Sequence, residues 1–163
     1  MSELQIFSRQ TNIALNDVPL EQSHQCDITI MNHQASNEIN HVNNIEFIKW
    51  IDKASELHLD TTGWTRIKLL ESHCMWFAAR HEIDYRSEAF LDDKLVLSTW
   101  VEDVRRVKSW RSTKIHALRD KPTIVCECRT LWVLVNLETK KPMPVPCSMA
   151  ESLNPLSMPR LTK

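Results

Sequence analysis

Glycine is almost absent from this chain of 163 residues: Gly63 is the only one. Every other tight bend must therefore be made by Asn, Asp, Pro or ordinary residues, and a G-x-S-x-G nucleophile elbow is impossible. An excess of either charge is missing too, with 20 Lys and Arg against 21 Asp and Glu for a net charge of −1. No chain-wide basic field argues for nucleic acid or a membrane as partner. Apolar runs long enough to span a bilayer are lacking, and Met1-Ser2-Glu3-Leu4-Gln5 has neither the basic start nor the apolar stretch of a secretory signal. The five cysteines, Cys26, Cys74, Cys126, Cys128 and Cys147, are odd in number and fit a reducing, cytoplasmic setting better than a disulfide framework. No second Cys-x-x-Cys or His pair lies near Cys126 and Cys128, so a zinc site is not expected. Two apart in a β-like run, they share one sheet face as core or half-buried residues.

What is present reads as a single domain over 1–163. Residues 1–22 are weakly patterned and read as an irregular arm. Residues 26–31 alternate apolar and polar with β-branched side chains, the pattern of a half-buried strand, and residues 32–40, rich in Asn and Gln, form a loop. Ile45, Ile48, Trp50, Ile51, Ala54 and Leu57 recur at helical spacing over 42–59, with Gly63 placed to stop the helix. A short second helix over 64–70 is expected next, then four strands over 75–85, 94–104, 109–118 and 123–136. Asp92-Asp93, Arg105-Arg106-Val107-Lys108 and Arg119-Asp120-Lys121-Pro122 form the turns between these strands. Three prolines, Pro142, Pro144 and Pro146, end the last strand. Residues 147–163 form a tail, either a short helix or a loose end.

The run Asn40-His41-Val42-Asn43-Asn44 leads straight into the long helix. It sets a ring nitrogen and carboxamides beside the unpaired N–H groups of a helix start, where a developing negative charge can be held. The plainer reading is capping, in which Asn43 or Asn44 satisfies orphan donors and nothing more. Taken with Phe47 and Trp50 downstream, with Ile83-Asp84-Tyr85-Arg86 and with Leu131-Trp132-Val133-Leu134-Val135-Asn136, the motif resembles the hot-dog-fold thioesterases. The resemblance is to the acyl-ACP thioesterases and the 4-hydroxybenzoyl-CoA thioesterase-like acyl-CoA hydrolases, and it runs from residue 26 to residue 146. It implies an α+β fold, an antiparallel curved sheet of five to six strands wrapped around one long helix. It also implies a homodimer or homotetramer that hydrolyses acyl-CoA or acyl-ACP without metal or organic cofactor, a role in fatty acid metabolism.

One departure stands out. Many relatives carry an aspartate four positions before the histidine, and here that position is Asn37, which cannot take a proton. His41, Glu38, Asp84 or a loss of hydrolysis are the alternatives. The resemblance favours Asp84, because the acyl-ACP thioesterases hold a glutamate at the matching strand position. His41 and Asp84 then activate water, Asn37 positions it, and backbone N–H groups near Val42 and Asn43 polarise the carbonyl. Asn40 replaces a glycine common before the histidine and can hold the same left-handed backbone. Val42, Asn44, Phe47 and Trp76, one of six tryptophans, are expected to line the substrate site. Arg105, Arg106, Lys108 and Arg111, or the pair Lys140-Lys141, are placed to grip coenzyme A phosphates or an acidic carrier protein. The rival reading is a non-catalytic acyl-thioester binding protein; a hot-dog hydratase is disfavoured by the lack of its Asp and His motif.

Overall fold

The apolar pattern of the central helix organises the chain. In the computed structural model, which describes residues 5–162, strands β1 (Ile6–Ser8) and β2 (His24–Ile28) precede helix α1 (Asn44–Thr61) and a short helix α2 (Arg66–Glu71). Strands β3 (Cys74–Tyr85), β4 (Leu95–Arg105), β5 (Lys108–Ala117) and β6 (Thr123–Asn136) follow, then helix α3 (Cys147–Ser152). The six strands make one sheet in the order β1-β2-β4-β5-β6-β3, every pair antiparallel. This is the curved sheet around one long helix that the sequence resemblance implies.

Phe47, Trp50, Ile51, Ala54 and His58 form the buried stripe of α1, a spacing that keeps side chains on one helix face. They meet Cys26, Leu97, Ile115 and Cys126, which the strand registers place side by side on the inner face of the sheet. Each fully buried side chain of this size contributes about 1.5–3 kcal/mol. A second cluster joins Leu69 of α2, Val101 and Val104 of β4, Leu134 of β6 and Met149 of α3 at the other end. Bulges at Ala78/Arg80, Val101/Asp103 and Ile115/His116 add local twist and bend the sheet round the helix.

Several expectations are corrected. The helix starts at Asn44 and not at residue 42, because Val42 closes a small bridge with Ala35. The first 22 residues are not an irregular arm throughout: Ile6–Ser8 pairs with β2, and Gln25 clamps the following segment by hydrogen bonds to both backbone groups of Ile13, 2.7 and 2.9 Å. Nor is the tail loose, since Met149 and Ala150 of α3 are buried. Ile45 and Ile48, assigned to the helix core, remain 62% and 37% exposed.

The scarcity of glycine shows in the backbone. Gly63, φ 83°, ends the α1 turn, while Asp17, Asn40, His73, Arg106, Lys140 and Asn154 also hold positive φ. Asn40, at φ 53°, takes the left-handed conformation expected of it.

Candidate active site

Residues 36–41 form a tight turn that delivers His41 to the start of α1. Ser36 N–H donates to the His41 carbonyl and Asn40 N–H to the Ser36 carbonyl, both at 2.8 Å. Leu91 N–H donates to the Asn40 carbonyl at 3.0 Å, and His41 bridges Phe90, its ring centroid 6.4 Å from the phenyl ring. Asn37, Glu38 and Ile39 stand exposed at the tip. The Ser36 hydroxyl donates to Glu38 at 2.6 Å, which with the Glu38 backbone holds that carboxyl below its usual range. Glu38 is thereby kept ionised and turned toward its own turn.

The helix start differs from expectation in a way that matters chemically. Val42 N–H donates to the Ala89 carbonyl and Asn43 N–H to the Gln34 carbonyl, each at 2.9 Å, so neither is free to polarise a substrate. The Asn43 side chain makes no cap. The first unpaired donors among the described residues are thus the N–H groups of Asn44 and Ile45, carrying the positive end of the helix dipole. Behind them, buried Glu46 accepts from Gln34 Nε2 at 3.0 Å and from Lys49 Nζ at 2.7 Å. That clamp fixes the loop against the helix and consumes the one carboxylate that could have folded back onto those donors.

Tyr85, the only tyrosine, was not singled out from sequence. Its hydroxyl donates to the Asn44 carbonyl at 3.1 Å, and its ring meets Phe47 edge-on at 5.6 Å. Strand alternation was the available signal, since Tyr85 pairs with Cys126 on the inner face. The same alternation sends its neighbour Asp84 to the outer face. There the Asp84 carboxylate, 70% exposed, lies 3.6 Å from Arg86. Asp84 is not brought to His41 within the chain, and the expected pairing is corrected.

Other assignments move as well. Val42 and Phe47 are core residues, 0% and 2% exposed, so their side chains pack and do not meet substrate. Arg105 pairs with Asp103 at 2.8 Å, while Arg106 and Lys108 are exposed in the β4–β5 hairpin. Arg111 does not belong with them. It is buried beneath α1, its Nη1 donating to His58 Nδ1 at 2.9 Å and to Thr99 Oγ1 at 3.2 Å. Burial and the adjacent guanidinium press the His58 pKa down to about 2. Burial likewise pushes Cys26 and Cys126 up to about 12, so neither thiol serves as a nucleophile. Trp76 lines a cavity between the C-terminal half of α1 and the inner face of β3, β5 and β6, together with Trp132, Leu69, Ser109 and Arg111.

A sequence profile of the thioesterase-like superfamily matches residues 24–153. No curated protein matches the chain by sequence. Among solved structures, a putative oleoyl thioesterase from Lactobacillus plantarum superposes with a TM-score of 0.77 at 13% identity, covering 91% of this chain and 56% of that one. The chain thus spans little more than half of that protein's length. YbaW, a probable thioesterase from Escherichia coli, gives 0.69 at 18% identity, with 79% and 95% covered. A 4-hydroxybenzoyl CoA thioesterase mutant complexed with 4-hydroxybenzoyl CoA gives 0.75 at 16%, with 81% and 99% covered. At these identities the likeness is one of fold, the hot-dog arrangement.

Proposed function

The chain belongs to the thioesterase-like superfamily, and from that premise we propose that it hydrolyses an acyl thioester carried on coenzyme A or an acyl carrier protein. The observation that carries this reading is the pair of unbonded N–H groups, Asn44 and Ile45, at a helix start with a histidine three residues before them. The thioester oxygen accepts from these two groups. A water held by the Asn37 carboxamide attacks the carbonyl carbon as His41 takes its proton, and the negative charge moves onto the held oxygen. Collapse breaks the C–S bond; the thiolate leaves and recovers the proton from the His41 imidazolium. The products are the free acid and the thiol.

An assembly of two copies fits this site. Strand β3 is 12 residues long, pairs with β6 on one side only, and leaves its other edge open, a state that proteins rarely leave uncovered. The exposed Ile45 and Ile48 lie beside the candidate donors on α1. Joining two β3 edges continues the sheet without turning its faces, so Asp84 stays outside and His41 remains the base. Sedimentation at micromolar concentration is expected to give a homodimer or its tetramer. Arg106 and Lys108, free of acidic partners among the described residues, are the cations left in the β4–β5 hairpin for an anionic carrier. No described helix is long and apolar enough to cross a membrane.

Hydrolysis of an acyl-CoA panel, followed by release of free thiol, tests the reading. Activity should fall by roughly two to four orders of magnitude in His41→Ala, the usual contribution of general acid–base catalysis. Tight acyl-CoA binding with no turnover in the unaltered protein would instead make it a binding module, the outcome that Asn37 in place of an acid would explain.

A further inference from the structure

Strand β5 turns Arg111 inward beneath α1, and burial of this residue leaves it only 5% exposed. A buried guanidinium normally faces a carboxylate, because removing an uncompensated charge from water is costly. Arg111 has no acid within salt-bridge distance among the described residues. Its Nη1 is engaged by two neutral acceptors, His58 Nδ1 and Thr99 Oγ1. Nε and Nη2, the edge that grips a carboxylate through two parallel bonds, have no partner among the described residues, and Arg111 lines the cavity under α1.

The rings of Trp76 and Trp132 line the same cavity, while their Nε1 atoms are buried away from it and unpartnered. The Ser109 hydroxyl already donates to the Asp103 carbonyl at 3.1 Å and the Ser55 hydroxyl to the Ile51 carbonyl at 2.9 Å, and Leu69 and Leu153 complete the buried lining. The acids Asp52, Glu56 and Asp60 also line the cavity, with Arg66. They are exposed or half-exposed; Glu56 is bound to Lys53 at 3.2 Å, and Asp52 is raised by partial burial and by Glu56, with no contribution from Arg111. They mark the wet rim, whereas the charge in the buried lining is the Arg111 guanidinium.

We propose that this cavity binds the distal carboxylate of an ω-carboxyacyl thioester on the Nε–Nη2 edge of Arg111, with the indole rings of Trp76 and Trp132 as its walls. The inference rests on the thioesterase reading and names its substrate class. From Asn44 to Ser55 the helix rises about 16 Å, so long dicarboxylic acyl chains suit the span between the reacting carbonyl and the guanidinium.

The test compares adipyl-, suberyl- and dodecanedioyl-CoA with hexanoyl-, octanoyl- and dodecanoyl-CoA as substrates. At the best length kcat/KM is expected to favour the dicarboxylic member by about tenfold or more, because a site of unpaired donors rejects an analogue that cannot fill them. Arg111→Met should bring the ratio to about one. Arg111→Lys, which keeps the charge but loses the two-point edge, should lower it and serves where the methionine variant does not fold. A separate titration reads tryptophan fluorescence as free dodecanedioate or 1,12-dodecanediol is added to the unaltered protein, with saturable quenching expected from the diacid alone. Equal or better turnover of the monocarboxylic series would overturn the proposal. If neither series is hydrolysed the thioesterase reading fails, and the titration alone decides the cavity: quenching by the diacid sustains the carboxylate site, and no quenching removes it.

Discussion

Acid should destabilise this protein through His58 well before its carboxylates titrate. His58 lies on the buried face of α1 with its Nδ1 accepting from Arg111 at 2.9 Å and its ring stacked on His24, centroids 5.4 Å apart. Burial penalises the charged ring first, and protonation would also break the hydrogen bond and set two cations in contact inside the core, so the folded pKa drops from 6.5 to about 2. Between those two values the unfolded chain binds a proton that the folded chain refuses, so the stability is complete above pH 6.5 and declines as the pH falls. Each pH unit costs about 1.4 kcal/mol, and from pH 7 to pH 5 His58 alone should remove about 2 kcal/mol. For a chain of this size that is a fall of roughly 4–8 °C in Tm. Burial lowers His24 and His116 in the same direction, so the informative quantity is a difference between variants. His58→Gln keeps an acceptor for Arg111 but cannot be protonated. Urea unfolding at pH 7 and pH 5 should show the variant losing about 2 kcal/mol less than the unaltered protein. Equal losses in both would refute the argument.

Three further outcomes are expected. Asn44→Pro removes one proposed oxyanion donor at the first helical position, where proline is tolerated, and Asn43 already has the φ −67°, ψ 136° suited to a residue before proline; kcat should fall by about 10²–10³ with far-UV dichroism unchanged, while Asn44→Ala keeps activity. Asp84→Asn and Glu38→Gln should each retain kcat within a factor of a few, because one side chain is on the outer face and the other turned to Ser36; a loss of 10²-fold or more in either would put the base there and not on His41. Phe47→Ala should cost about 3–5 kcal/mol in urea unfolding, and a variant of unchanged stability but raised KM would return Phe47 to the substrate site.

The periodicities carried the architecture because sheet and helix patterns depend on neighbours in sequence. The long helix, the four strands after it and the left-handed Asn40 were all legible in that way, but the expected meander holds only for β4, β5 and β6, because β3 crosses to the far edge and pairs with β6. Side-chain direction was not. Asp84 and Tyr85 are adjacent, and only the register with Glu127 and Cys126 reveals which of them faces the helix. Arg111 looked like one more cation of a basic hairpin until the alternation along β5 put it inside. The unpaired N–H groups at the helix start shifted by two residues, from Val42 and Asn43 to Asn44 and Ile45, because partners at Ala89 and Gln34 are remote in sequence or hidden in an irregular loop. Ile6–Ser8 was missed since a strand of three residues is too short to show a period.

The left-handed backbone at His73, Arg106 and Lys140 has a consequence for the unfolded chain. A side chain in that conformation costs about 1–2 kcal/mol in the native state, yet glycine in its place would enlarge the set of conformations lost on folding by about 0.5–1 kcal/mol. The offset is partial, so a chain with almost no glycine is stiffened before it folds and, at these turns, gives up that advantage and somewhat more as strain.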